Sequence, residues 1–148
     1  MAYFIKNEFP EADMNKVITM ALIHDLGEAF TGDIPTFDKT EQDEITEEKL
    51  LDKWVCALPQ PYANEMKSLY AEMSKRETLE AKIYKALDGL EAVIQHNESA
   101  LGTWIPREFE LNLTYAEDKV TFSEYLTALR REIKEDTIRK IAAEKTGE

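Results

Sequence analysis

Apolar residues recur three and four positions apart along most of the chain, between short polar breaks, and that spacing predicts helices. The first run begins at Asp13, a suitable N-cap. It carries Met14, Val17, Ile18, Ala21, Leu22 and Asp25, and stops near Thr31-Gly32-Asp33-Ile34-Pro35. The second opens on acidic residues from Glu41 to Glu48, which favour a helix N-terminus, and carries Leu50, Leu51, Trp54, Val55 and Leu58 up to Pro59. From Pro61, the positions Met66, Leu69, Tyr70 and Met73 mark a third helix, broken or bent around Ser74-Lys75-Arg76-Glu77. Leu79, Ile83, Leu87, Leu90 and Ile94 form one long stripe that ends near Asn97. The last helix is expected to start at Thr121, spaced for a capping box with Glu124, and to carry Phe122, Tyr125, Leu126, Leu129 and Ile133 to about residue 144. The expected class is all-α, a single domain over residues 1–148 built as a bundle of five to six helices.

Composition narrows the functions. The chain has 148 residues, 43% of them hydrophobic, so it can bury a real core. Its 18 basic and 30 acidic residues leave a formal charge of −12. That field repels polyanions and argues against polymeric nucleic acid as a partner. A small phosphate ester stays open, because one metal ion or a few local donors reverse the sign of a pocket. Cys56 stands alone, which excludes an intramolecular disulfide and a cysteine-based zinc site. Between Val55 and Ala57 it reads as a packed thiol in a reducing compartment. No basic leader precedes a long apolar run, and no run approaches ~18 apolar residues, so the expectation is a cytoplasmic protein without a membrane span.

The stretch with chemistry in it is Met20-Ala-Leu-Ile-His24-Asp25-Leu-Gly-Glu28-Ala-Phe-Thr31-Gly32-Asp33-Ile-Pro35-Thr36. On a continuous helix Val17, Ala21, His24 and Glu28 share one face, and Ile18, Leu22, Asp25 and Ala29 the next, so His24 and Asp25 are expected to extend an apolar ridge inward. An unpaired carboxylate there costs several kcal/mol, and a divalent cation would satisfy both side chains together. Glu28, one turn on, and Asp33, past the helix end, add two carboxylates within reach. The plainer reading, a core histidine bonded to a neighbouring carboxylate, stays open on periodicity alone.

The run ALIHDLGEAFTGDIPT resembles the signature of the HD-domain phosphohydrolases, in their 5'-deoxynucleotidase branch, and LEAKIYKALDGLEAVIQHNES is similar to that branch's distal aspartate helix. The likeness covers residues 1–115 in order. It implies an all-helical HD-domain bundle that often dimerises, with a metal-site core over about residues 13–98. It implies one divalent metal held by an upstream His, the His24-Asp25 pair and Asp88. It also implies a functional glutamate at Glu28 and a loop aspartate at Asp33, which with Ile34, Pro35 and Thr36 lines the nucleotide pocket. Asp88 fits this on its own terms, at the edge of the Ile83-Leu87-Leu90 stripe beside Tyr84. An imidazole with two carboxylates and water suits Mn²⁺, Co²⁺ or Mg²⁺ better than a closed structural zinc. By the resemblance, Glu28 activates water or places a second cation, and Asp33 orients the nucleophile or protonates the leaving 5'-oxygen.

The sequence departs from that pattern at its start. No histidine precedes His24, and His96 lies eight residues after Asp88, ~12 Å along one helix and too far to share an ion. His96 reads as a polar residue near a helix C-terminus. Ala2-Tyr3-Phe4-Ile5-Lys6-Asn7 is similar to the last turns of the family helix that carries the upstream His. The expectation is therefore a fold incomplete at its N-terminus, also lacking an upstream Arg-Trp element that orients the nucleotide. Apolar surface left open would favour a homodimer, with exchange of an element between protomers. The leading expectation is a metal-dependent hydrolase releasing phosphate from deoxynucleoside 5'-monophosphates. The alternatives are an HD hydrolase of another phosphate ester, and a non-catalytic module that binds nucleotide or itself. Trp54 and Trp104 are expected to pack in the core or a loop rather than stack on a base.

Overall fold

In the computed structural model the described residues are 1–34 and 39–146, with side chains described through Ala143. They form an all-α bundle of α1 (Met14–Ile23), α2 (Glu28–Thr31), α3 (Glu41–Cys56), α4 (Tyr62–Lys75), α5 (Leu79–Glu98), α6 (Glu108–Thr114) and α7 (Glu124–Thr146). Short 3-10 turns lie at Leu101–Thr103 and Asp118–Val120.

Helix α5 is the axis. Its expected stripe is buried at Ile83, Leu87 and Leu90, and Ala81, Tyr84, Ala86 and Val93 are buried as well. A helix apolar on this much of its circumference has to be surrounded, and α1, α4 and α7 pack around it. From α1 come Val17 and Met20, from α4 Met73, from α7 Leu126 and Ile133, and from the N-terminal segment Ile5 and Phe9.

Local chemistry sets most boundaries. Asp13 caps α1 as expected, its Oδ1 accepting from the backbone N–H of Asn15 and Lys16. A capping box between Thr40 and Asp43 starts α3. Arg76, in a left-handed conformation (φ 54°), closes α4 at the expected break, and the Thr78 hydroxyl caps α5.

Several expectations are corrected. Residues 2–8 form turns rather than helix, closed by bonds such as Phe4 N–H to Met1 O at 2.9 Å. Ile5 and Phe9 are buried while Tyr3 and Phe4 face outward. The α7 cap is Ser123, whose Oγ accepts from the Leu126 N–H, because Thr121 ends the preceding 3-10 turn and its hydroxyl donates to Asp118 O. Cys56 is exposed, not packed, since the last turn of α3 turns only Val55 inward. Trp54 is exposed and meets the Phe30 ring at 6.3 Å. Trp104 is buried as expected, donating its indole N–H to His96 O and Ser99 Oγ. Among the described residues no helix is long and apolar enough to cross a membrane.

Candidate metal centre

The first helix does not run through His24 as expected. It ends at Ile23, and the chain tightens into i→i+3 bonds, Leu26 N–H to Ile23 O at 3.1 Å and Glu28 N–H to Asp25 O at 3.0 Å, before α2 begins. Two side chains take carbonyls freed at the helix end: His24 Nδ1–H donates to Ala21 O at 2.9 Å, and the Tyr70 hydroxyl donates to Ile23 O at 2.8 Å. Leu22, Asp25 and Ala29 are exposed, so the second face expected to point inward faces out.

His24 still points toward α5. Its Nε2 lies 3.0 Å from Asp25 Oδ2 and 3.1 Å from Asp88 Oδ1, and its ring sits 6.2 Å from that of the buried Tyr84. The other Asp88 oxygen accepts from Lys85 Nζ at 2.7 Å, one helical turn back. Hydrogen bonds to Asp25 and then Asp88 push the His24 imidazole up to about 10, against the effect of its burial. Burial alone would raise Asp88, but the bonds from His24 and Lys85 override it and hold this carboxyl well below the usual range.

Glu28 stands apart, paired with Lys39 at 3.5 Å, while Lys39 also contacts Glu47 at 2.6 Å. Burial and the charges of Asp25 and Asp33 raise the Glu28 carboxyl. Asp33 is exposed and Ile34 half-buried. Pro35 and Thr36 lie outside the described residues.

A recess of 560 Å³ opens beside His24, lined by Tyr84, by Leu51 and Val55 of α3 and Tyr70 of α4, with the carboxylates Glu47, Glu48 and Asp52 and the cations Lys67 and Arg76 among its polar groups. Lys85, Lys39 and Glu47 were missed from the sequence. Lys85 had a signal, its three-residue spacing to Asp88 on one helix face; Lys39 and Glu47 had none, since α2 must first fold against α3.

The HD domain family model matches residues 1–130. The chain belongs to the HD domain family. Curated relatives carry the name 5'-deoxynucleotidase HDDC2. The bovine (Bos taurus) protein is 31% identical over 100 residues, 66% of this chain and 48% of that one. The human (Homo sapiens) protein is 30% identical over the same shares. The Dictyostelium discoideum protein is 33% identical over 90 residues, 60% of this chain and 47% of its own. The chain thus spans about half the length of the relatives it matches. No solved structure gives a significant match.

For an HD protein the dipeptide that names the family is His24-Asp25, and the donors around it bear on metal binding. The Nδ1–H bond to Ala21 O fixes the ring so that Nε2 faces Asp25 and Asp88; Nε2–H donates to them here, and a cation taking the place of that proton would meet the nitrogen lone pair beside two carboxylates. One nitrogen and two oxygens suit a borderline divalent ion. In the structure these groups bond to one another and to Lys85, and among the described residues no group of three or more His, Cys, Asp or Glu side chains is set out as a metal cage. The donors fit a cation in kind and direction, and a small separation of His24 from the two carboxylates would admit it.

Proposed function

We propose that the protein is a metal-dependent phosphohydrolase acting on nucleoside 5'-monophosphates, the 2'-deoxynucleotides in particular, with His24, Asp25 and Asp88 as its metal ligands. The observation that carries this is the convergence of the family's His-Asp pair with an aspartate 64 residues away on α5, the imidazole held by its second nitrogen. The relatives' name supports the substrate class.

Mn²⁺, Co²⁺ or Mg²⁺ bound there supplies Lewis-acid polarisation of a phosphate oxygen and a lower pKa for an attacking water. Asp88 keeps its charge at any working pH, and Lys85 orients it by taking one oxygen. Glu28, with a raised carboxyl, is suited to accept the proton of that water or to help place a second cation. Asp33, near enough to raise Glu28 by its charge, is assigned to orienting the nucleophile or protonating the leaving 5'-oxygen. In this reading Ile34, Pro35 and Thr36 border the nucleotide, and the 560 Å³ recess beside His24 receives it. The same reading assigns the protein to the cytoplasm as a homodimer.

The test is release of inorganic phosphate from dAMP and dTMP with Mn²⁺ or Co²⁺. Turnover that disappears in Asp25→Ala is expected; full activity in that variant would sink the ligand assignment. One observation favours a second reading, a non-catalytic HD module that binds nucleotide or itself: His24, Asp25 and Asp88 already bond to one another and to Lys85. Nucleotide binding without phosphate release would select it.

A further inference from the structure

We propose that a second recess, between the α4–α5 junction and the turn at Asp118–Val120, is a phosphate-binding subsite that takes the di- or triphosphate group of a ligand. The proposal rests on the chain's own charges and not on the hydrolase reading.

With 30 acidic residues against 18 basic, a patch chosen at random on this surface is acidic. This recess, of 360 Å³, is the reverse: Arg76, Lys82, Lys85 and Lys119 line it, against Asp118 as its single carboxylate, with Phe122 as an apolar wall. Lys85 is shared with Asp88. Arg76, Lys82 and Lys119 form no ion pair among the described residues, and the Lys119 ammonium rests 4.4 Å above the Tyr115 ring. Like charges gathered without counter-charges repel one another, so the arrangement costs stability until an anion joins them.

The backbone around the recess is also unusual. Among the described residues two that are not glycine adopt a left-handed conformation, Arg76 at φ 54° and Ala116 at φ 65°. Arg76 lines the recess itself. Ala116 lies in the turn that carries Lys119, and that turn seats on Gly89 of α5: a Cβ at Gly89 would fall 2.7 Å from Ala116 Cβ and 3.5 Å from Lys119 Cδ. Arg76 is itself in a sparsely populated conformation and Lys119 stands three residues after one, a kind of strain that gathers at ligand clamps. Three free cations and a shared fourth exceed what a single carboxylate needs and match the several charges of a polyphosphate, which accepts from lysine and arginine alike.

The experiment is calorimetric titration of metal-stripped protein, at low salt, with inorganic tripolyphosphate and in parallel with ADP. Saturable one-to-one binding is expected. Lys82→Glu should weaken it about tenfold or more, as loss of a charge-assisted contact does, and Lys119→Gln similarly, while His24→Ala should leave it unchanged. An ADP affinity that Lys82→Glu also weakens identifies a nucleotide as the source of the phosphates; an ADP affinity that it leaves unchanged reports the recess beside His24 and identifies a free polyphosphate as the occupant here. Lys82 is exposed, so its variant keeps the fold, and circular dichroism checks the Lys119 variant. No saturable binding of either probe, unaltered tripolyphosphate affinity in Lys82→Glu, or loss of tripolyphosphate binding in His24→Ala would overturn the proposal.

Discussion

Gly27, inside the His-Asp segment, tests how the turn after His24 is braced. Its backbone is right-handed (φ −59°, ψ −37°), so the main chain does not require glycine there. Space does: a Cβ at Gly27 would fall 2.6 Å from both Cγ and Oε1 of Glu47, about an ångström inside normal contact. Alanine must push Glu47 aside and off Lys39, now 2.6 Å away, leaving Lys39 with Glu28 at 3.5 Å. Breaking a fully buried ion pair by removing one partner costs about 3–5 kcal/mol, and with Glu28 still present we expect about 2 kcal/mol here. The N-cap position offers alanine no compensating gain. Urea unfolding at pH 7 of Gly27→Ala, Glu47→Ala and the double variant measures the coupling. Each single variant should lose about 2 kcal/mol, or about 4–8 °C in Tm, while the double variant should resemble Glu47→Ala alone, since the clashing side chain is gone. Additive losses, with the double variant down about 4 kcal/mol, would refute this account of the glycine.

Two further outcomes follow from geometry elsewhere. Gly32 ends α2 at φ 84°, ψ 156°, a region closed to other residues, so Gly32→Ala should lose about 1–3 kcal/mol in a thermal melt although nothing lies within 4 Å of the added methyl; an unchanged melt would show that the turn is not held in that conformation. Glu72 accepts from the Thr78 hydroxyl at 2.6 Å and from Lys16 at 3.0 Å, and these contacts lower its carboxyl against the effect of burial. A lowered folded-state value means stability present above the ordinary 4.5 and lost as the pH falls through the folded value, so the urea-midpoint gap between wild type and Glu72→Gln should close in acid; a gap independent of pH would contradict it.

What could be read from the sequence was local. The Asp13 cap, the break at Arg76 and the α5 stripe are written in neighbouring residues, and the structure has them where the spacing put them. Features decided by distant residues were not legible. Helix α1 stops at Ile23 because His24 and Tyr70, 47 residues on, take its carbonyls. Helix α6 went unanticipated, and Arg130 of α7 closes it by donating to the carbonyls of Asn112 and Tyr115. At the candidate site, His24 and Asp88 are brought together as the family resemblance implied, and Asp25 joins them from the exposed side. Glu28 is engaged by Lys39, a partner visible only once α2 packs on α3.

The central claim, that His24, Asp25 and Asp88 hold a divalent ion, is tested most directly by Mn²⁺ binding measured by electron paramagnetic resonance in the wild type and in Asp88→Asn. The account predicts one Mn²⁺ per chain in the wild type and an affinity at least ~100-fold lower in the folded variant, since even partners of metal ligands are worth 10–100-fold. Equal Mn²⁺ binding by the two proteins would contradict it.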